Sequence, residues 1–209
     1  MGGYFDNNIV IDILKEIGNI GSGNAATALA KMLNKRIDMN VPKVNVLDIS
    51  DVPALIGGPE TLVTGVYFKI EGDLDGSIMF VLDINSSQTL VKLLTSGYQN
   101  NKDNEIDDFT KSVLQEIGNI LSGSYISSLS SLTGLNIKIS IPSIAIDMAG
   151  AILSVPAIQF GQISDKILII ETEFIEGSDN VKGFFFLVPD YDSYDILLKS
   201  LGVSDYEGK

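Results

Sequence analysis

The chain contains no histidine, no cysteine and no tryptophan. Without His or Cys there is no zinc site of the usual kind and no disulfide. Ser-His-Asp and Cys-His catalysis are excluded as well. Any chemistry must come from carboxylates, amides, hydroxyls, Lys, Arg, backbone groups or a partner. No phosphate-binding P-loop and no GxGxxG fingerprint appears. No apolar run reaches the ~18 residues that a membrane span needs. The start, "MGGYFDNNIV", lacks the basic and apolar regions of a signal peptide. Asp6 fills the hydroxyl position of a myristoylation pattern. These absences predict a soluble, cytoplasmic protein with no membrane contact.

Positive charge is also scarce, with 14 basic residues against 27 acidic ones and a net charge of −13. Nucleic acid is disfavoured, because its binding relies on Lys and Arg neutralising phosphates. A folded protein partner stays open. The 209 residues, 45% of them hydrophobic, are enough to bury a sizeable core.

The pentapeptide EIGNI occurs at Glu16 and again at Glu116. At this offset of 100, Asn19 matches Asn119, Ser22-Gly23 matches Ser122-Gly123, and Pro42 matches Pro142. A second block repeats at an offset of 107, where Asp83 matches Asp190 and Lys92 matches Lys199. The change of offset places an insertion in the second half, expected between Asp147 and Gln162. Each half reads as helix, strand, short linker, two strands, helix. The long helices are expected near 8–34 and 106–133. "EGDLDG" marks a hairpin turn, and the short helix after it has Ser caps before it and Gly97 after it. The expected fold is α+β: a single domain over 1–209 with pseudo-twofold symmetry and a mainly antiparallel sheet. Its repeats are about 1–103 and 104–209. A monomer is expected, since one chain already holds both halves of a pseudo-dimer.

At 100° per residue, Val10, Ile13, Leu14, Ile17, Gly21, Ala25, Ala28 and Met32 form the core stripe of the first helix. Asp12, Glu16, Asn19 and Gly23 fall opposite it, facing solvent. In the second helix Val113, Leu114, Ile117 and Leu121 turn inward, and Ser112, Glu116, Asn119 and Gly123 turn outward. A solvated face has no reason to prefer Asn, a weak helix former. Glycine in a helix interior loses up to about 1 kcal/mol relative to Ala. Gly21 suits close packing, but Gly23 lies on the outer row. A carboxylate, an amide and a low shelf together suggest a docking face. Helix–helix packing is the competing account of the glycines.

These residues resemble the CheC/CheX/FliY family of bacterial chemotaxis phosphatases. The pattern is Asp or Ser, three residues, Glu, two residues, Asn, 22 residues and Pro. Asp12, Glu16, Asn19 and Pro42 fit it, and so do Ser112, Glu116, Asn119 and Pro142. Two motifs in one chain resemble the CheC branch. FliY-like members carry a further switch domain, for which no residues are spare here. The resemblance implies hydrolysis of the aspartyl phosphate on the response regulator CheY. It implies that Glu16 and Glu116 contact the regulator's lysine, and that Asn19 and Asn119 orient the attacking water. Magnesium would belong to the regulator, with no cofactor or metal bound by this chain. Asp12, Ser112, Gly23 and Gly123 would support binding. The resemblance also implies a second partner, the receptor deamidase CheD, with Asp147, Ala149 and Gly150 as the expected contact. The rival reading is a binding module that sequesters the regulator or CheD without catalysis. Pro42 and Pro142 are expected at an edge, a strand start or a bulge.

Overall fold

The computed structural model describes residues 8–34, 36–48, 50–95, 98, 106–160, 166–176 and 179–202. The elements in chain order are α1 (Asn8–Leu33), β1 (Asp38–Asp48), α2 (Val52–Leu55), β2 (Leu62–Gly72), β3 (Gly76–Asp83) and α3 (Ile84–Leu94). Then come α4 (Asp108–Thr133), β4 (Ile137–Ile139), β5 (Ser143–Met148), α5 (Ala149–Phe160), β6 (Lys166–Glu176), β7 (Asp179–Pro189) and α6 (Tyr191–Ser200).

Local chemistry sets several boundaries. Asp107 caps α4 by accepting from the Thr110 amide at 2.8 Å, and Gly134 ends it in the left-handed region at φ 74°. The Tyr98 hydroxyl also donates to Asp107, which holds that carboxyl below its usual range. Asp83 and Asp190 cap α3 and α6 alike, accepting from Ser86 and Ser193 at 2.8 Å. The α3 cap is therefore Asp83 rather than a serine, and the helix closes on Thr95. Gly97, expected to follow it, lies outside the described residues.

All seven strands form one antiparallel sheet in the order β1-β6-β7-β3-β2-β4, with β5 also on β2. The halves exchange strands. β1 pairs with β6 from the second half, and β2 carries β4 and β5 from the second half. Leu47 faces Ile167, while Asp147 faces Val63. Val63 and Ile167 are thus counterparts 104 residues apart. Four extra residues separate β5 from β6, and the rest of the growth to 107 lies beyond that point. The expected insertion between Asp147 and Gln162 is only part of the difference. It forms a helix, α5, where the first half has the single turn α2. Neither helix was expected. The 12-residue α5 continues through Pro156, which lies inside it and is buried.

α1, α3, α4 and α6 cover one face of the sheet, and α2 and α5 the other. The first core gathers Leu14, Ile17, Leu114, Ile117, Phe80 and Phe185. The second gathers Val52, Ile56, Met79, Ile152 and Phe186. Phe80 and Phe185 stack at 4.7 Å, and Tyr125 tilts onto Phe185 at 4.8 Å. The buried Tyr125 hydroxyl pairs with Thr172 Oγ1 at 2.9 Å. Burial pushes its pKa up to about 12.

Three motif glycines serve this packing. A Cβ on Gly18 would lie 3.3 Å from Val41 Cγ1 and 3.6 Å from Ile170 Cγ2. One on Gly118 would lie 2.9 Å from Val66 Cγ1, and one on Gly21 would lie 2.4 Å from Tyr125 Cδ1. Val66 and Ile170 are counterparts, so both long helices approach the sheet at matched points. Gly23 and Gly123 differ, since a Cβ there meets nothing within 4 Å. The expected stripe is corrected at its far end. Met32 is 47% exposed, because α1 has by then run past the region that covers Leu29. Val10's side chain lies outside the described residues.

The contrast between glycines is testable by chemical denaturation. Gly21→Ala must displace Tyr125 and is expected to destabilise by about 1–3 kcal/mol. Gly23→Ala, with open space around it, is expected to stabilise by about 0.5–1 kcal/mol.

Candidate functional site

The inward faces of α1 and α4 fix what faces out. Leu14 and Ile17 are 1% and 3% exposed, and Leu114 and Ile117 are fully buried. On the other side Asp12, Glu16, Asn19 and Gly23 are all exposed. Ser112, Glu116 and Asn119 are exposed on α4, and Gly123 is half-buried. Each Asn sits one turn beyond its Glu, about 4.5 Å further along the axis. Among the described residues neither amide side chain is engaged in a hydrogen bond, and neither Glu in an ion pair.

The groups beside the rows are held. Ser22 Oγ donates to the Asn19 carbonyl at 2.9 Å, and Thr27 Oγ1 donates to the Gly23 carbonyl at 2.9 Å. Ser112 Oγ turns back to the Asp108 carbonyl at 2.9 Å. Hydroxyls that bond their own helix can be buried or kept low without leaving a polar group unsatisfied. Asp12 and Ser112 therefore differ in what they present, a carboxylate against a hydroxyl already engaged.

An open recess of about 420 Å³ lies beside Asn19, lined by Ser22, Gly23, Met39, Asn40, Val41 and Glu173. The register of β1 on β6 shifts between Asn40 and Lys43, which spans Pro42. Pro142 stands just before β5. Both prolines thus occupy an irregularity or a strand start. Glu173 is shared with Lys182, which contacts it at 3.4 Å and Glu171 at 2.9 Å. These carboxylates raise the Lys182 pKa above its ordinary value. Glu173 joins Asn19 only through the β1–β6 pairing, so nothing local in the sequence announces it. A larger recess, about 670 Å³, opens on the α2 side among Leu55, Leu62, Ile84 and Phe184, and no residue of either row lines it.

The expected deamidase contact is only partly presented. Asp147 is exposed at the end of β5, with its carboxylate accepting from the Met148 amide at 2.7 Å. Ala149 is fully buried, and a Cβ on Gly150 would lie 3.3 Å from the Pro59 carbonyl oxygen. Their small size serves the seating of α5 rather than an open shelf. Among the described residues no group of three or more acidic side chains gathers as a metal site.

The arrangement offers two solvent-facing carboxylate–amide pairs on two rigid helices. It holds no nucleophile beside a base. It therefore suits work on groups that another molecule supplies.

Comparison with known proteins bears on which molecule. A profile of the CheC-like family matches residues 9–46 and 109–146, the segments that hold the two rows. The chain is 35% identical to the CheY-P phosphatase CheC of Bacillus subtilis over 201 residues, covering 93% of this chain and 94% of that protein. Among solved structures, FliY of Thermotoga maritima aligns with a TM-score of 0.71 at 26% identity, covering 93% of this chain and 96% of that one. The FliM middle domain of H. pylori shares the fold at a TM-score of 0.66 and 10% identity, covering 93% and 99%. With identity at this level over nearly its whole length and both motif segments matched, this chain belongs to the CheC-like family.

Proposed function

We propose that this protein is a cytoplasmic phosphatase, acting as a monomer, that hydrolyses the aspartyl phosphate of the response regulator CheY. The carrying observation is the pair of exposed rows, Glu16 with Asn19 and Glu116 with Asn119, whose amides have no hydrogen-bond partner among the described residues. The names of its relatives support the same reading.

Hydrolysis of an acyl phosphate needs an in-line water and neutralisation of charge on the phosphoryl oxygens. The water oxygen bonds to phosphorus, and the bond from phosphorus to the aspartate oxygen breaks. The carboxylate leaves, and the proton shed by the water ends on inorganic phosphate. The regulator supplies its own magnesium and lysine for charge. This chain supplies position. Glu16 and Glu116 pair with the regulator's lysine and set the register. Asn19 and Asn119 reach the water, with one amide atom accepting and the other donating. A polar group placed this way contributes about 3 kcal/mol, roughly a hundredfold in rate. Gly23 and Gly123 leave the space through which the regulator's backbone approaches. Asp12 and Ser112 extend the contact by one turn.

Phosphate release from phosphorylated CheY tests the assignment. Asn19→Ala and Asn119→Ala are each expected to keep part of the activity. The double variant is expected to fall about a hundredfold while its melting temperature stays put, because both side chains are exposed. A double variant with the parent rate would overturn the role. Tight regulator binding with no acceleration by the parent protein would make it a binding module instead. Gly23→Ala/Gly123→Ala is expected to be the more stable and the slower protein, which separates docking from folding.

The receptor deamidase belongs to the same proposal, with Asp147 as its contact beside the exposed Met148. Asp147→Arg is expected to abolish co-purification with CheD and leave phosphate release unchanged. Retention of CheD by this variant would place the contact elsewhere.

A further inference from the structure

Ile141 is 86% exposed, the highest value for a large hydrophobic side chain among the described residues. A lone exposed Ile on a free loop would mean little. This one is held from both sides. The Ser140 amide donates to the Lys69 carbonyl at 2.9 Å, and Ser140 Oγ accepts from the Lys69 amide at 3.0 Å. The same hydroxyl donates to the Ile141 carbonyl at 2.9 Å. On the far side Gln115 Nε2 donates to the Pro142 carbonyl at 3.4 Å. Pro142 itself has a fixed φ. The knob is therefore pinned to β2 and to α4, and its anchor on α4 is the residue before Glu116.

Among the described residues the first half has no such feature at the matching position. Val41, 100 residues earlier, is 6% exposed and lies against the site where a Gly18 Cβ would be. There β1 runs past as one strand, shifted in register but unbroken. In the second half the corresponding stretch is interrupted between β4 and β5, and its apolar residue points away from the core. Burial like that of Val41 would have stabilised the fold.

We infer that Ile141 is a specificity-determining contact for the response regulator at the second row alone, pressing on apolar surface beside the regulator's phosphorylated aspartate. This rests on the phosphatase reading above. Ile141 is β-branched and stands on backbone that is already held, so it loses little freedom on binding, and its contribution falls on affinity rather than on the chemical step. It makes the two rows unequal in what they recognise, although their Glu and Asn are the same.

The test uses the full chain with one row closed by charge reversal. Glu16→Lys leaves the second row and Glu116→Lys the first. Ile141→Ser is then added to each. With the second row open, KM for phosphorylated CheY is expected to rise roughly tenfold with kcat unchanged. With the first row open, neither constant changes. Ile141→Val is expected to restore most of the loss. Binding of CheY charged with beryllofluoride is measured in parallel, and the same tenfold loss is expected only with the second row open. Equal effects in both backgrounds, or none in either, would overturn the inference. If neither single-row protein releases phosphate, the enzyme reading fails, and the binding constants still decide for or against Ile141.

Discussion

The close approach of α1 and α4 to the sheet governs the rest. Gly18 lies over Val41 and Ile170, and Gly118 lies over Val66. Gly21 lets Tyr125 come within a distance that no side chain would allow. These contacts fix how far each helix stands from the sheet and also how it is turned about its axis. One residue is 100° of turn. With Gly18 facing the strands, Glu16 points nearly away from them and Asn19 points to the side. A helix rolled by one residue toward the Asn19 side would turn the amide onto the sheet and bring the carboxylate down after it. The glycine that weakens the helix as a helix, by about 1 kcal/mol, is what aims the two polar groups beside it.

Much of this was legible because it follows short periods. The inward Leu14, Ile17, Leu114 and Ile117 come from the helical repeat, β1 comes from alternation, and the hairpin of β2 and β3, buried almost throughout along β3, comes from its turn. The exposed Glu and Asn are the complement of the same stripe. What was not legible depends on distant pairing. No local signal says that β1 leaves its own half to join β6, so Glu173 beside Asn19 could not be foreseen. Ser22, Ser122 and Ser128 are buried against expectation for hydroxyls. Ser22 and Ser128 donate to carbonyls of their own helices, so neither buried hydroxyl is left unsatisfied. The glycines needed both levels. Sequence position separated Gly23 from Gly21, but only the neighbours of each showed that Gly18 and Gly118 serve packing. The turn α2 had a local cue, Pro53 in its first turn, which a reading built on repeats passes over.

Strand exchange has a mechanical consequence. Each hairpin of the sheet is edged by a strand from the other half, so neither half completes its face alone. The two long helices meet across Gly21 and Tyr125 above that shared sheet. Motion of one row relative to the other would have to break β-pairing or reopen the core around Phe185. The rows are thus rigid in relation to each other. Differences between them must come from what surrounds them, such as the β1 shift at Pro42 or the break at Ser140–Pro142.

The residue types in the rows also answer a problem of charge. A chain of net charge −13 must approach a phosphoryl group that is itself negative. Beyond the Debye length of about 8 Å, salt screens most of that repulsion. At contact it does not, and a carboxylate beside the phosphoryl oxygens would oppose the reaction. On the proposed reading the closest group is the amide of Asn19 or Asn119, which carries no charge and can both donate and accept. The carboxylate stands one turn back, where it meets a cation instead. Exchanging the order, with Asn first and Glu second, would keep composition and exposure while bringing like charges together. On that reading the i, i+3 order is part of the mechanism, and it is held in place by the same glycine contacts that set the helices on the sheet.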